Sequence, residues 1–293
     1  MWRRDAITGK LRKGMPQAGV PANGGTAMKR SLIFLAALAL AAAPAAAETT
    51  RAKQAILVEH PSGRMLFERA ADHEMAPSSM TKLMTLYLAF EALKAGRVSE
   101  ATTVKIGKRA AAARGATMGL AAGDTVAFRD LVRGAAVASA NDAAIAIAEH
   151  LGTSEVAFAK TMTAAARDLG LEGSRFANAT GQTAKNHRMT AGDVAKLAGI
   201  LLQRHPERYR VFGELAFRYG GRSYANRNLL LGSYVGADGI KTGMTAAGGY
   251  GMAVSAVRDG KRLILVINGL ASEEERAAEA RRLLDWGFAR LSR

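Results

Sequence analysis

The chain has 293 residues, 49% of them hydrophobic, with 41 lysines and arginines against 25 acidic residues and a formal charge of +16. That length allows one large or two small domains with a real core. The lack of cysteine excludes disulfides, thiol catalysis, thiolate metal sites and a lipid anchor on an N-terminal cysteine. The basic residues are scattered, without a long Lys/Arg block or interleaved aromatics, which argues against a nucleic-acid partner and suits solubility or attraction to an anionic polymer.

The N-terminus reads as an export leader. Lys29-Arg30 is a basic pair, residues 31–43 are an apolar run too short for a membrane span, Pro44 breaks it, and Ala45-Ala46-Ala47 fits a cleavage site after Ala47. Met28 precedes the basic pair and is the expected true start. Residues 1–47 are therefore set aside as upstream extension plus signal peptide, and residues 48–293 are expected to form one catalytic domain, exported to the periplasm or secreted. The leader holds seven basic residues and one acidic one, so the mature chain carries +10.

Residues 55–58 and 64–67 are short apolar runs joined across Pro61-Ser62-Gly63, which predicts a hairpin. Over residues 81–95 the apolar positions Leu83, Tyr87, Phe90 and Leu93 recur at helical spacing, with Gly96 placed to end the helix. The alanine-rich stretch 109–170 reads as mostly helical, most clearly at 141–151 and 154–169. Residues 174–188 are polar and irregular, a loop. A helix over 190–202 follows, with Thr190 and Asp193 spaced as a capping box that uses Asp where Glu or Gln is usual. Residues 250–257 and 262–268 are apolar runs around Arg258-Asp259-Gly260-Lys261, a second hairpin. A final helix shows Ala277, Ala280, Leu284, Phe288 and Leu291 on one stripe, expected to pack on a sheet rather than lie on a membrane. Strands at both ends and helices between them predict an α+β fold: an antiparallel sheet of N- and C-terminal strands, flanked by helices, with an inserted, mostly helical lobe.

Three short motifs punctuate this pattern: Ser79-Met80-Thr81-Lys82, Ser139-Ala140-Asn141 and Lys241-Thr242-Gly243. Each alone also reads as helix capping or an edge strand with a solvated lysine. In order, they supply an acyl-transfer site. Lys82 lies one helical turn from Ser79 and can serve as its base. A helix N-terminus at Ser79 leaves its N–H free for an oxyanion and disfavours charge on the lysine. Ser139 can extend the proton path and the Asn141 amide can hold the substrate backbone. Lys241 offers a cation and Thr242 a hydroxyl to a carboxylate. Gly243 permits close approach of another chain segment. The five histidines are dispersed, with no H-E-x-x-H pair, and His187 reads as ordering a loop by hydrogen bonding.

With Ala76-Pro77-Ser78 before the first motif, Asp142-Ala143-Ala144 after the second, His187-Arg188-Met189-Thr190, and residues 238–245 around the third, the chain resembles the penicillin-recognising serine D-alanyl-D-alanine carboxypeptidases, the low-molecular-mass penicillin-binding proteins. The resemblance implies a β-lactamase/transpeptidase-like fold and no cofactor or metal. It further implies acylation of Ser79 by the penultimate D-alanine of a peptidoglycan stem peptide, release of terminal D-alanine, hydrolysis of the acyl-enzyme, and covalent inhibition by β-lactams. The oxyanion hole is then the N–H groups of Ser79 and Met244, and Arg276 is the candidate for an additional carboxylate-binding base, against the alternative of a surface helix arginine. Gln182 stands where leucine is expected and Ala140 where glycine is commoner. The chain ends 50 residues after Gly243, which leads to the expectation of a single module without a stable membrane anchor after leader cleavage. Alternatives are a DD-endopeptidase using the same machinery, a class A β-lactamase, for which Glu172 is near the place of the deacylating glutamate but in the wrong local pattern, and a non-catalytic penicillin-binding sensor.

Overall fold

The computed structural model describes residues 48–292; the leader, its cleavage site and the expected start at Met28 lie outside the described residues. The first hairpin is formed by β1 (Gln54–His60) and β2 (Met65–Arg69). A 3-10 turn at Ser78–Thr81 leads into α1 (Lys82–Lys94), which ends at Ala95 followed by left-handed Gly96. Then come β3 (Thr103–Lys105), α2 (Lys108–Ala111), β4 (Thr125–Ala127), α3 (Phe128–Ala136), α4 (Asn141–Gly152) and α5 (Glu155–Asp168). After the expected loop, α6 (Ala191–Arg204) and α7 (Pro206–Tyr209) precede a small hairpin of β5 (Ala216–Tyr219) and β6 (Arg222–Ala225). The chain closes with β7 (Ala237–Thr245), β8 (Gly249–Arg258), β9 (Lys261–Leu270) and α8 (Glu273–Leu291).

Five strands form one antiparallel sheet in the order β2-β1-β9-β8-β7. The register Gln54↔Asn268 through His60↔Arg262 joins the N-terminal strand to the C-terminal hairpin, as the strand pattern predicts. Alternate residues serve two cores. Ile56, Val58, Ile264 and Val266 face the helical lobe, whereas Ala55, Leu57, Leu263, Leu265 and Ile267 face α8. A sheet buried on both faces needs apolar residues at successive positions, which is why these strands read as continuous runs. The predicted stripe of α8 lies in that second core. Its Gly287 permits the approach, because a Cβ there would sit 2.6 Å from Leu57 Cδ2.

In the lobe, α1 is buried nearly all round by Leu83, Met84, Leu86, Tyr87 and Phe90, with α3, α4, α5 and α6 against it. One expectation needs correction. Residues 112–127 are irregular and end in a strand, because Gly115, Gly119 and Gly123 hold positive φ that a helix does not admit. The β5–β6 hairpin was not among the expected elements: Gly220-Gly221 takes positive φ at both turn residues, and cross-strand Phe217 and Tyr224 stack at 5.2 Å. At α6, Thr190 Oγ1 accepts from the Asp193 N–H, but the shorter Asp side chain binds Ser174 Oγ at 2.7 Å instead of completing the capping box.

Candidate active site

The 3-10 turn places Ser79 just before α1, where helix N–H groups have no intrahelical acceptor. The turn is pressed into place from two sides. Ser78 is left-handed at φ 52°, and its hydroxyl donates to Thr245 Oγ1 of β7. A Cβ on Gly243 would come within 3.1 Å of the Ser79 nitrogen, and one on Gly181 within 1.7 Å of the Ser78 carbonyl oxygen. Glycine at both positions lets β7 and the 178–182 loop close on the serine.

Lys82 is fully buried, and its Nζ reaches Ser79 Oγ at 3.0 Å, Asn141 Oδ1 at 2.7 Å and the Thr180 carbonyl oxygen at 2.8 Å. Burial, then the charges of Lys241 and Arg227, hold its pKa well below the ordinary lysine value, opposed only in part by Asp142. A neutral amine has two N–H donors and one lone pair. Asn141 Oδ1 and Thr180 O can only accept, so they claim the two donors and turn the lone pair toward Ser79 O–H.

Distant residues hold those acceptors. Thr85 Oγ1 donates to Ala179 O, and buried Glu155 accepts the Ala179 N–H at 3.0 Å while Arg109 pairs with its other oxygen. Asn178 Oδ1 accepts from the N–H groups of Thr180 and Gly181. His187 accepts the Ala177 N–H on Nδ1, so its Nε2 carries the proton and donates to Thr81 Oγ1 at 2.8 Å. Burial pushes this imidazole down to about 4, which keeps it neutral in its loop-ordering place.

Ser139 is left-handed at φ 60° and buried at the entrance to α4. Asn141 opens that helix, with Oδ1 on Lys82 and Nδ2 donating to Arg114 O at 2.6 Å, which leaves one amide hydrogen for a ligand. Sequence reasoning assigned no role to Asp142. Its buried carboxylate accepts the N–H groups of Met118, Gly119, Leu120 and Ala143, tying the irregular segment to α4. An acid in the first turn was visible in the sequence; its four donors, three of them more than twenty residues away, were not.

The edge strand β7 forms the opposite wall, so its unpaired backbone groups face the cleft. Lys241 and Thr242 are buried, while Met244 is half exposed beyond Gly243. Burial, Arg227 and Arg276 push Lys241 down to about 7. Arg276 is buried at the cleft wall, not out on the helix surface, and its Nη2 donates to Arg227 O. Arg227 was missed from the sequence, because a single arginine in a polar loop carries no motif. The cleft encloses about 720 Å³ and is lined by Ser79, Ser139, Asn141, Thr242, Met244 and Arg276, among others.

Residues 40–271 match the D-alanyl-D-alanine carboxypeptidase family Peptidase_S11. The chain belongs to the D-alanyl-D-alanine carboxypeptidase family. It is 37% identical to the D-alanyl-D-alanine carboxypeptidase DacC of Escherichia coli, over 90% of this chain and 68% of that one. With DacF of Bacillus subtilis it shares 34% over 81% of this chain and 62% of the relative. The chain thus spans about two thirds of the length of these relatives. Penicillin-binding protein 5 from Haemophilus influenzae superposes with a TM-score of 0.81 at 32% identity, over 84% of this chain and 73% of that one. Penicillin-binding protein D2 from Listeria monocytogenes, solved in an ampicillin-bound form, does so at 0.75 and 29%, over 81% and 97%. These proteins share the penicillin-binding/transpeptidase-like fold, and the family makes this chain a serine-type peptidase.

In this carboxypeptidase-family member, seven of the nine residues predicted for the site line this cleft, and the other two are buried against its lining, Lys82 on Ser79 Oγ and Lys241 Nζ on Thr242 O. Glu172, the candidate base of the β-lactamase alternative, lines a separate depression with Asp72, Asp193 and Lys196. Among the described residues no group of three or more His, Cys, Asp or Glu side chains is placed to hold a metal ion. The low pKa of Lys241 has a calorimetric consequence. A lysine with that pKa is mostly neutral at pH 8, and a carboxylate bound beside it would raise the pKa. Binding of a D-Ala-D-Ala peptide to Ser79→Ala protein is therefore expected to take up about one proton at pH 8 and almost none at pH 6. Titration in buffers of different ionisation enthalpy measures this, and Lys241→Met should abolish the uptake.

Proposed function

We propose that this chain removes the terminal D-alanine of peptidoglycan stem peptides through an acyl-enzyme on Ser79. The observation that carries the reading is the buried Lys82 amine, 3.0 Å from Ser79 Oγ and held there by two obligate acceptors. Lys82 takes the Ser79 proton as Oγ attacks the penultimate D-alanine carbonyl, and the N–H groups of Ser79 and Met244 receive the oxyanion. The C–N bond then breaks. The leaving amine takes a proton delivered from Lys82 along Ser139. Lys241, Thr242, Arg227 and Arg276 hold the carboxylate of the departing D-alanine, and Asn141 holds the acyl chain. Water then hydrolyses the ester. β-Lactams, which carry a carboxylate and an acylating amide, enter the same cleft and acylate the same serine. The leader at residues 1–47 delivers the enzyme to the periplasm or exterior, where this substrate lies; among the described residues no helix is long and apolar enough to cross a membrane.

A second reading has one observation in its favour. Past Arg227 the cleft adjoins a further space of about 370 Å³ between residues 115–117 and the Ser223-Tyr224 edge of β6. A longer leaving group, as in a cross-link, would find room there. The experiment for both is incubation of the protein from Glu48 onward with a D-Ala-D-Ala peptide and with a cross-linked muropeptide dimer. The carboxypeptidase reading expects free D-alanine from the first substrate. Conversion of the dimer to monomers without D-alanine release from the peptide would replace it by the endopeptidase.

A further inference from the structure

Three glutamates open α8, and they do not share one task. Ser272 Oγ accepts from the Glu275 N–H, and the Glu275 carboxylate reaches back to the Ala271 N–H. That pair caps the helix. Glu274 is fully exposed. Glu273 has neither role: it turns into the cleft and pairs with Nη2 of Arg276. It is the one carboxylate among the described residues lining a cleft otherwise walled by Arg114, Arg227 and Arg276.

The pairing is incomplete on the arginine side. A guanidinium binds a carboxylate best through two parallel N–H groups, and one such edge is Nε with Nη2. Glu273 takes only Nη2, and Arg276 Nε is buried without a hydrogen-bond partner. A ligand carboxylate free to align can use both atoms, whereas Glu273, tethered three residues away on the same helix, uses one. Two carboxylates on the same edge repel, so the ligand and Glu273 exclude each other there.

We propose that Glu273 is a placeholder for the substrate carboxylate, a specificity-determining residue that occupies Arg276 in the empty cleft and yields it when a ligand carboxylate binds. This rests on the carboxypeptidase reading for its substrate, though not for its geometry. Glu273 keeps the buried cation compensated between turnovers, at the cost of affinity. Because it acts on carboxylate capture, it sets KM and leaves kcat alone.

The test is Glu273→Gln, which keeps an acceptor for Nη2 and removes the charge. Its KM for a D-Ala-D-Ala peptide is expected to fall about two- to fivefold, the upper part of the range for an exposed ion pair, with kcat within about twofold. The second-order rate of acylation by a fluorescent penicillin should rise by a similar factor, while Glu274→Gln, which removes a fully exposed carboxylate, should change both far less. An unchanged or raised KM in Glu273→Gln, an effect on kcat instead, or an equal effect of Glu274→Gln overturns the proposal. Wild-type protein that releases no D-alanine overturns the carboxypeptidase reading, and penicillin acylation still reads Glu273. Absence of both reactions overturns both.

Discussion

Replacing Ser79 by alanine is expected to remove D-alanine release and penicillin labelling together, with a loss in kcat on the order of 10⁶-fold, as loss of a serine nucleophile costs elsewhere. The physical basis is that no second nucleophile stands in its place. Ser78 points its hydroxyl to Thr245, and Ser139, at the entrance to α4, stands outside the Ser79 turn that begins α1. The substitution removes one oxygen from a turn held by Gly181, Gly243 and Thr245, so the fold and the carboxylate site should persist. Single-turnover labelling and calorimetric binding of the peptide separate the two effects. Labelling that survives in Ser79→Ala would place the nucleophile elsewhere.

Lys82→Ala is expected to slow acylation by about 10⁴-fold, the scale of losing a positioned base. Lys82→Arg should be no better, because a guanidinium stays charged and has no lone pair to offer. The pH profile supplies the sign. Lys82 must be neutral to act, and its pKa lies well below the ordinary lysine value, so kcat/KM for acylation should fall as pH drops and Lys82 gains its proton. Measured by stopped-flow acylation, that acid limb should be absent from the residual activity of Lys82→Ala. Near-normal acylation by this variant would move the base to Ser139 and Lys241.

The elements and the motif residues were readable for different reasons. The two hairpins around residues 61–63 and 258–261 and the helices at 82–94, 141–152 and 273–291 announce themselves through periodicity, turn residues and caps, all of which act within a few residues. The segment 112–127 misled because alanine-rich composition suggests helix, while three glycines at positive φ and the distant Asp142 carboxylate decide against it. The β5–β6 hairpin was overlooked although Gly220-Gly221 signals it. Asp142, Glu155, Arg227 and Glu273 had no readable role, since each acts on a partner that the fold alone brings near.

By itself the sequence determined the order of the three motifs, the strands at both ends that must meet in one sheet, and hence the side chains available for acyl transfer. Only the tertiary structure decided their chemical state. Lys82 owes its low pKa to burial and then to the charges of Lys241 and Arg227, and its orientation to Asn141 59 residues away and Thr180 98 residues away. Lys241 owes its low pKa to burial and then to Arg227 and Arg276 from two other segments. A local pattern is set by residues three or four apart, whereas protonation and lone-pair direction depend on which charges and carbonyls the fold packs within a few ångströms, and spacing along the chain does not encode that.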